Sequence, residues 1–180
     1  GYTGEIGFEL VAPIAVLQKL WDLAIVSAQA VDGIPAGLGA RDILRTEMGY
    51  PLHGQDISPT ITPLEAKISW AIGWDKPDFA GKASLSAARA QGVARKRVAL
   101  KALGRGIPRA HMNVYRDSEL QDKIGEITSG TFSPTLKEGI ALALLDKEYE
   151  KSESVFIDVR GKSLECAIVP LPFISASPKS

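Results

Sequence analysis

A chain of 180 residues, 45% hydrophobic, with 21 basic side chains balanced by 21 acidic ones, can bury well over half of its unfolded surface. It has no net field to draw it to nucleic acid or to an anionic membrane. Cys166 is alone and His53 and His111 are far apart in sequence, which excludes an intramolecular disulfide framework and gives no metal-ligand spacing; a reducing compartment and no metal are expected. The apolar runs are shorter than a membrane span.

The first residues, Gly1-Tyr2-Thr3-Gly4-Glu5-Ile6-Gly7-Phe8-Glu9-Leu10, alternate. Strand side chains point to opposite faces with period two, so Ile6, Phe8 and Leu10 share one face while Glu5, Gly7 and Glu9 share the other. A strand is expected there, and with no initiator Met and no signal-like segment the chain reads as the back portion of a larger enzyme whose targeting is not legible. Pro13 suits a first helical turn, and Ile14, Leu17, Trp21 and Ala24 recur at helical spacing toward Gln29, predicting an amphipathic helix packed on that strand. Val31-Asp32-Gly33 is a turn and Ile34 to Leu38 a short extended piece. Ala40 to Met48 is a second helix, with Leu44 and Met48 one turn apart. Thr62-Pro63-Leu64-Glu65 has the form of a capping box and predicts a helix to about Trp70. Lys82 to Gln91 reads as a helix stopped by Gly92.

From Arg95 onward the period changes to two. Val98, Leu100 and Ala102 alternate with Arg97, Ala99 and Lys101; Val155, Ile157 and Val159 alternate with Phe156 and Asp158. Arg160-Gly161-Lys162 turns into Leu164, Cys166 and Ile168, which resume the alternation and predict a hairpin. Repeated short strands joined by Gly, Pro and Asp predict a small antiparallel barrel. Gly104-Arg105-Gly106 lacks the spacing of a phosphate-binding loop and reads as a turn between barrel strands. Ser129 and Thr131 lie among turn formers with no signal for a nucleophile and base, so structural hydrogen bonding is expected of them. Cys166 reads as a small buried apolar residue, and Trp21, Trp70 and Trp74 as core.

Four stretches stand in register with one family: Gly1 to Glu9, Gly37-Leu38-Gly39-Ala40-Arg41-Asp42-Ile43-Leu44-Arg45, Gly104 to Arg109, and Gly125-Glu126-Ile127-Thr128-Ser129-Gly130-Thr131-Phe132-Ser133-Pro134-Thr135-Leu136. On these motifs the chain resembles the C-terminal portion of the glycine cleavage system T-protein, the tetrahydrofolate-dependent aminomethyltransferase. The resemblance implies an α+β fold, a partial α/β folate-binding domain followed by a C-terminal antiparallel β-barrel domain. Residues 1–75 would belong to the folate-binding core, 76–94 to a connecting helical segment, 95–174 to the barrel and 175–180 to a flexible tail. It implies tetrahydrofolate as substrate and the lipoylated H protein as partner. The enzyme would be cytoplasmic if bacterial and mitochondrial if eukaryotic. A cut domain face is often apolar, so self-association through it is expected.

The resemblance also ranks the folate-binding candidates. Glu9 comes first, because a carboxylate can accept two parallel hydrogen bonds from adjacent N–H donors of a pterin. The family places its pterin-binding glutamate at this position, and Gly7 on the same face leaves room for a flat ring. Tyr2, Arg41 and Tyr50 follow: the family contacts folate at the position of Tyr2, places a ligand-contacting arginine at Arg41, and presents a ring at Tyr50. Taken without the resemblance, Glu9 is an ordinary carboxylate on a solvated strand face and Arg41 an arginine paired with Asp42 or another surface carboxylate. Tyr50 is then a half-buried aromatic. Arg45 has the same two readings as Arg41 with less support from the family. The aspartate essential to the family's reaction lies in a part that this chain does not contain, so no catalytic residue is assigned and the chain by itself is expected to be inactive. The tail departs from the family after Phe173, and no tail contact is assigned.

Two other readings stand beside this one. The folate domains of sarcosine and dimethylglycine dehydrogenases share the fold but need a flavin domain upstream. The barrel could instead be a module on which a carrier docks without chemistry of its own. A related folate-binding protein of iron–sulfur cluster assembly carries a cysteine motif near Tyr50 to Asp56, where this chain has none.

Overall fold

The computed structural model describes residues 1–175; the expected tail falls outside the described residues from residue 176 onward. Three α-helices precede a barrel: α1 (Ile14–Gln29), α2 (Leu38–Glu47) and α3 (Lys82–Gln91). Six strands follow, β1 (Arg95–Ala102), β2 (Asn113–Tyr115), β3 (Lys123–Ser133), β4 (Glu138–Asp146), β5 (Ser154–Val159) and β6 (Lys162–Val169). They close into an antiparallel barrel in the order β1-β4-β3-β2-β5-β6, which leaves no open sheet edge. No helix of the described chain is long and apolar enough to cross a membrane.

The period-two pattern is realised in the barrel. Val155 stands opposite Cys166 and Ile157 opposite Leu164, and all four point into a core shared with Val98, Leu100, Val114 and Leu145. Each fully buried Val, Leu or Ile contributes roughly 1.5–3 kcal/mol. The β5–β6 hairpin turns on Arg160 and Gly161, both at positive φ (57° and 78°), which is the conformation that matches strand twist in a two-residue loop. Gly104 to Gly106 lies between β1 and β2, outside any strand. The outer face of β4 is buried as well, with Ile140, Leu142 and Leu144 covered, because α2 lies against β3 and β4.

The N-terminal region departs from expectation in three ways. Residues 1–13 form no strand. Tyr2 and Gly4 sit at positive φ (71° and 79°), which breaks an extended run, and the segment has no ladder to join among the described residues; Phe8 is 89% exposed. Helix α1 forms at its predicted limits, yet none of its described residues is buried, so its apolar stripe has no strand beneath it. The capping box at Thr62 does form: the Thr62 N–H donates to Glu65 Oε2 at 2.8 Å and the Glu65 N–H to Thr62 Oγ1 at 3.3 Å. It starts a single turn, followed by a short 3-10 turn at Ser69–Ala71. The Glu65 carbonyl, which a longer helix would need, accepts the Arg97 N–H of β1 at 2.8 Å, and Lys67 turns into the left-handed region at φ 56°.

The tryptophans also contradict their expected role. Trp21 and Trp70 are exposed, and Trp74 is half-buried beneath the Arg89 guanidinium, 4.6 Å from its ring. A helical spacing identifies a stripe, but it does not say whether anything covers it.

Candidate functional site

Helix α2 presents Arg41 and Arg45 one turn apart, on neighbouring positions of one face. The Arg41 guanidinium lies 4.7 Å over the Tyr2 ring, and its Nη2 is 3.8 Å from Glu9 Oε1. The Tyr2 and Tyr50 rings are tilted by 30° with centroids 5.8 Å apart. The four residues proposed from sequence thus share one cluster, although they come from the first ten residues, from α2 and from the segment that follows it. Arg41 pairs with the exposed carboxylate of Glu9 and not with Asp42, which is taken by Arg45, whose Nε and Nη2 donate to its Oδ1 at 2.8 and 2.6 Å. Glu9 is widely exposed and loosely held, so its carboxylate is free to accept other donors.

Tyr2 is fixed by backbone as well as by its neighbours. Its positive φ turns the side chain back toward the helix, where its hydroxyl donates to the Pro51 carbonyl. Burial pushes the Tyr2 phenol above its ordinary value; Asp56 and Asp42 add to that, against Arg45 and Arg41. The hydroxyl therefore remains a donor at neutral pH. Close approach fixes the segment too: a Cβ on Gly4 would lie 2.5 Å from the Met48 side chain. Beside the cluster, a recess of about 240 Å³ is lined by Tyr2, Leu38, Arg41, Asp42, Arg45, Leu52 and Gln55. On the other side a hollow of about 610 Å³ runs along Gly4 to Phe8 to Tyr50.

Beneath this cluster lies a charged layer, of which the sequence brought forward Arg45 but neither Asp56 nor Glu47. Arg45 is buried and donates to Asp56 Oδ2 at 2.8 Å and to the Tyr50 carbonyl at 3.3 Å. Asp56 Oδ2 also accepts the Leu52 N–H and the Ser129 hydroxyl, each at 2.8 Å, and Oδ1 accepts the Thr128 hydroxyl. Farther along, the buried Glu47 carboxylate accepts the hydroxyls of Ser133 and Thr135, and its carbonyl accepts the Phe173 N–H at 2.9 Å. Ser129 thus performs the structural hydrogen bonding expected of it, whereas among the described residues the Thr131 hydroxyl makes only a long bond to the neighbouring Phe132 carbonyl at 3.4 Å.

Arg97 is the other buried cation among the described residues. Its Nη1 donates to the Gly49 carbonyl at 3.0 Å, while Nε has no partner among the described residues. Burial pulls its pKa down, with Asp56 acting in the opposite sense. It lines a cavity of about 730 Å³ between Met48–Pro51 and Ile168–Pro172. The alternation of β1 put Arg97 on the outer face, and nothing in the sequence said that this face is covered. Cys166 behaves as expected: burial pushes its thiol up to about 12.

Comparisons with known proteins agree in order along the chain. The model of the GCVT N-terminal domain matches residues 1–76, and that of the glycine cleavage T-protein C-terminal barrel domain matches residues 95–174. An aminomethyltransferase of Parafrankia sp. is 52% identical over 179 residues, 99% of this chain and 48% of that protein. One from Frankia alni is 49% identical over the same shares. The crystal structure of the glycine cleavage system aminomethyltransferase T from Bartonella henselae superposes with a TM-score of 0.89 at 34% identity, covering 98% of this chain and 48% of that one. The chain spans about half the length of the curated relatives it matches. Two domain models of one family, matched in sequence order and joined by a closed barrel of the same architecture, place the chain in the glycine cleavage T-protein family of aminomethyltransferases.

Proposed function

We propose that this chain supplies the folate-facing wall and the barrel of an enzyme that moves the one-carbon unit from the aminomethyl-lipoyl H protein to tetrahydrofolate, with release of ammonia. The observation that carries this reading is the convergence of Tyr2, Glu9, Arg41 and Tyr50. In it the Glu9 carboxylate accepts two adjacent N–H groups of the pterin, and the two tyrosine rings offer an apolar edge to its plane. Arg41 holds both Tyr2 and Glu9 in reach of the ring. Residues 1–75 serve as part of the folate core, 76–94 as the connection and 95–174 as the barrel. The chain alone is inactive, because the aspartate that the family uses is not among its residues. The relatives named above are bacterial, and a cytoplasmic enzyme fits the proposal.

Calorimetric titration with tetrahydrofolate under reducing, oxygen-free conditions tests the reading, with Glu9→Ala run beside the natural chain. Binding that disappears in Glu9→Ala supports it. Equal binding by both would remove Glu9 from the site, and turnover by the purified chain would overturn the inactivity.

A further inference from the structure

We propose that Asp56 is a positioning residue through which barrel strand β3 fixes the Tyr2–Tyr50 wall of the candidate site. Its carboxylate is fully buried and receives four donors, from Arg45, Leu52, Thr128 and Ser129. Two of these donors lie in the barrel, more than seventy positions away in sequence.

The barrel side is shaped for this contact. Neighbouring residues of a regular strand point to opposite faces, so consecutive side chains such as Thr128 and Ser129 would not reach one carboxylate. The β3–β4 register shifts between Ile127 and Ser129: Ile127 stands opposite Ala143 and Ser129 opposite Leu142, with Thr128 left over. A bulge of this kind re-aims a side chain, and here it sends both hydroxyls outward to Asp56. The Thr128 hydroxyl has one proton and two acceptors in range, Asp56 and the Leu142 carbonyl at 3.0 Å; the carboxylate is the nearer and the charged one.

On the other side Asp56 reaches two residues of the wall that flank a third. It binds the Leu52 N–H directly, and through Arg45 it holds the Tyr50 carbonyl. Between them the Pro51 carbonyl accepts the Tyr2 hydroxyl. Moving Asp56 therefore moves the acceptor of Tyr2 and the backbone of Tyr50 together. The consequence for tetrahydrofolate rests on the function proposed above, while the positioning of the two rings does not.

The test uses the chain labelled with 3-fluorotyrosine. Of its four tyrosines, Tyr2 and Tyr50 are assigned by Tyr2→Phe and Tyr50→Phe, and Tyr115 and Tyr149 report on the barrel. In Asp56→Asn the fluorine signals of Tyr2 and Tyr50 are expected to shift or split while those of Tyr115 and Tyr149 stay. In the calorimeter, tetrahydrofolate should bind about tenfold more weakly to Asp56→Asn and about threefold more weakly to Ser129→Ala, as expected when a wall of the site is displaced without loss of a direct ligand contact. If Asp56→Asn does not fold, Ser129→Ala decides, since it leaves the Arg45 and Leu52 bonds in place. Folded variants with lowered unfolding midpoints but unmoved Tyr2 and Tyr50 signals would overturn the proposal and leave Asp56 a stabilising residue only. If the natural chain binds no tetrahydrofolate, the functional reading fails and the fluorine signals alone decide the positioning.

Discussion

The guanidinium of Arg41 stands 4.7 Å over the ring of Tyr2 while its Nη2 reaches toward Glu9 at 3.8 Å, so one cation gathers two groups from the start of the chain. Both contacts are solvent-accessible, and contacts of that kind are worth about 1 kcal/mol or less. Arg41→Ala should therefore leave the urea midpoint nearly unchanged and weaken tetrahydrofolate binding markedly. A large fall in the midpoint with unchanged binding would show the opposite division of labour.

Arg45 one turn along should act strongly on stability. Its removal leaves Asp56 buried without its cation, and breaking such a pair costs about 3–5 kcal/mol. Arg45→Met is expected to lower the urea midpoint strongly, and adding Asp56→Asn to it should recover part of the loss. A double variant less stable than Arg45→Met would argue that the hydroxyls of β3 hold the carboxylate without help from Arg45.

Glu65 gives the acid side of the stability profile. Burial pushes its carboxyl up, but the Thr62 N–H and hydroxyl and the Arg95 guanidinium outweigh this and hold it below the usual carboxylate range. A carboxyl lowered in the folded state contributes stability above its unfolded value, and that contribution is lost as the pH falls through the native value. Glu65→Gln should thus be less stable than the natural chain at neutral pH and should lose less on acidification. Urea midpoints measured for both proteins down the acid limb check the sign.

Cys166 should be silent to thiol reagents. With its thiol pushed up to about 12 and its sulfur inside the barrel, it has neither the thiolate nor the access that reaction requires. Ellman's reagent is expected to titrate no thiol in the native chain and one thiol in denaturant. Rapid reaction without denaturant would mean that the barrel opens between β5 and β6.

The apolar stripe of α1 offers a further check. Leu17 and Trp21 are exposed beside Leu10, and a contiguous apolar surface favours association. Sedimentation should show concentration-dependent self-association that Leu17→Glu reduces. A monomer at high concentration would exclude this face as a contact.

Legibility in the sequence followed the reach of the interactions. Strand alternation and the Arg160-Gly161 turn are local, and β5 and β6 formed where they predicted. Helix α1 also kept its limits. The expected strand at Ile6 to Leu10 did not form, because a strand is stabilised by a partner that its own sequence does not contain. At Thr62 the capping box was read correctly, but the carbonyl needed to extend the helix was taken by Arg97, a residue over thirty positions away. In the site, the resemblance brought Tyr2, Glu9, Arg41 and Tyr50 forward. Arg45, Asp56 and Arg97 were underread because their importance lies in burial beneath other elements, and charged side chains look the same in sequence on a wet surface and in a closed layer.

The two buried carboxylates of Glu47 and Asp56 fasten the end of α2 and the loop after it to the same strand of the barrel. Exposing those two carboxylates to solvent requires β3 and the wall to part from each other. The two portions should consequently show one common free energy of opening in hydrogen exchange, as a single unfolding unit that crosses the boundary between two sequence domains.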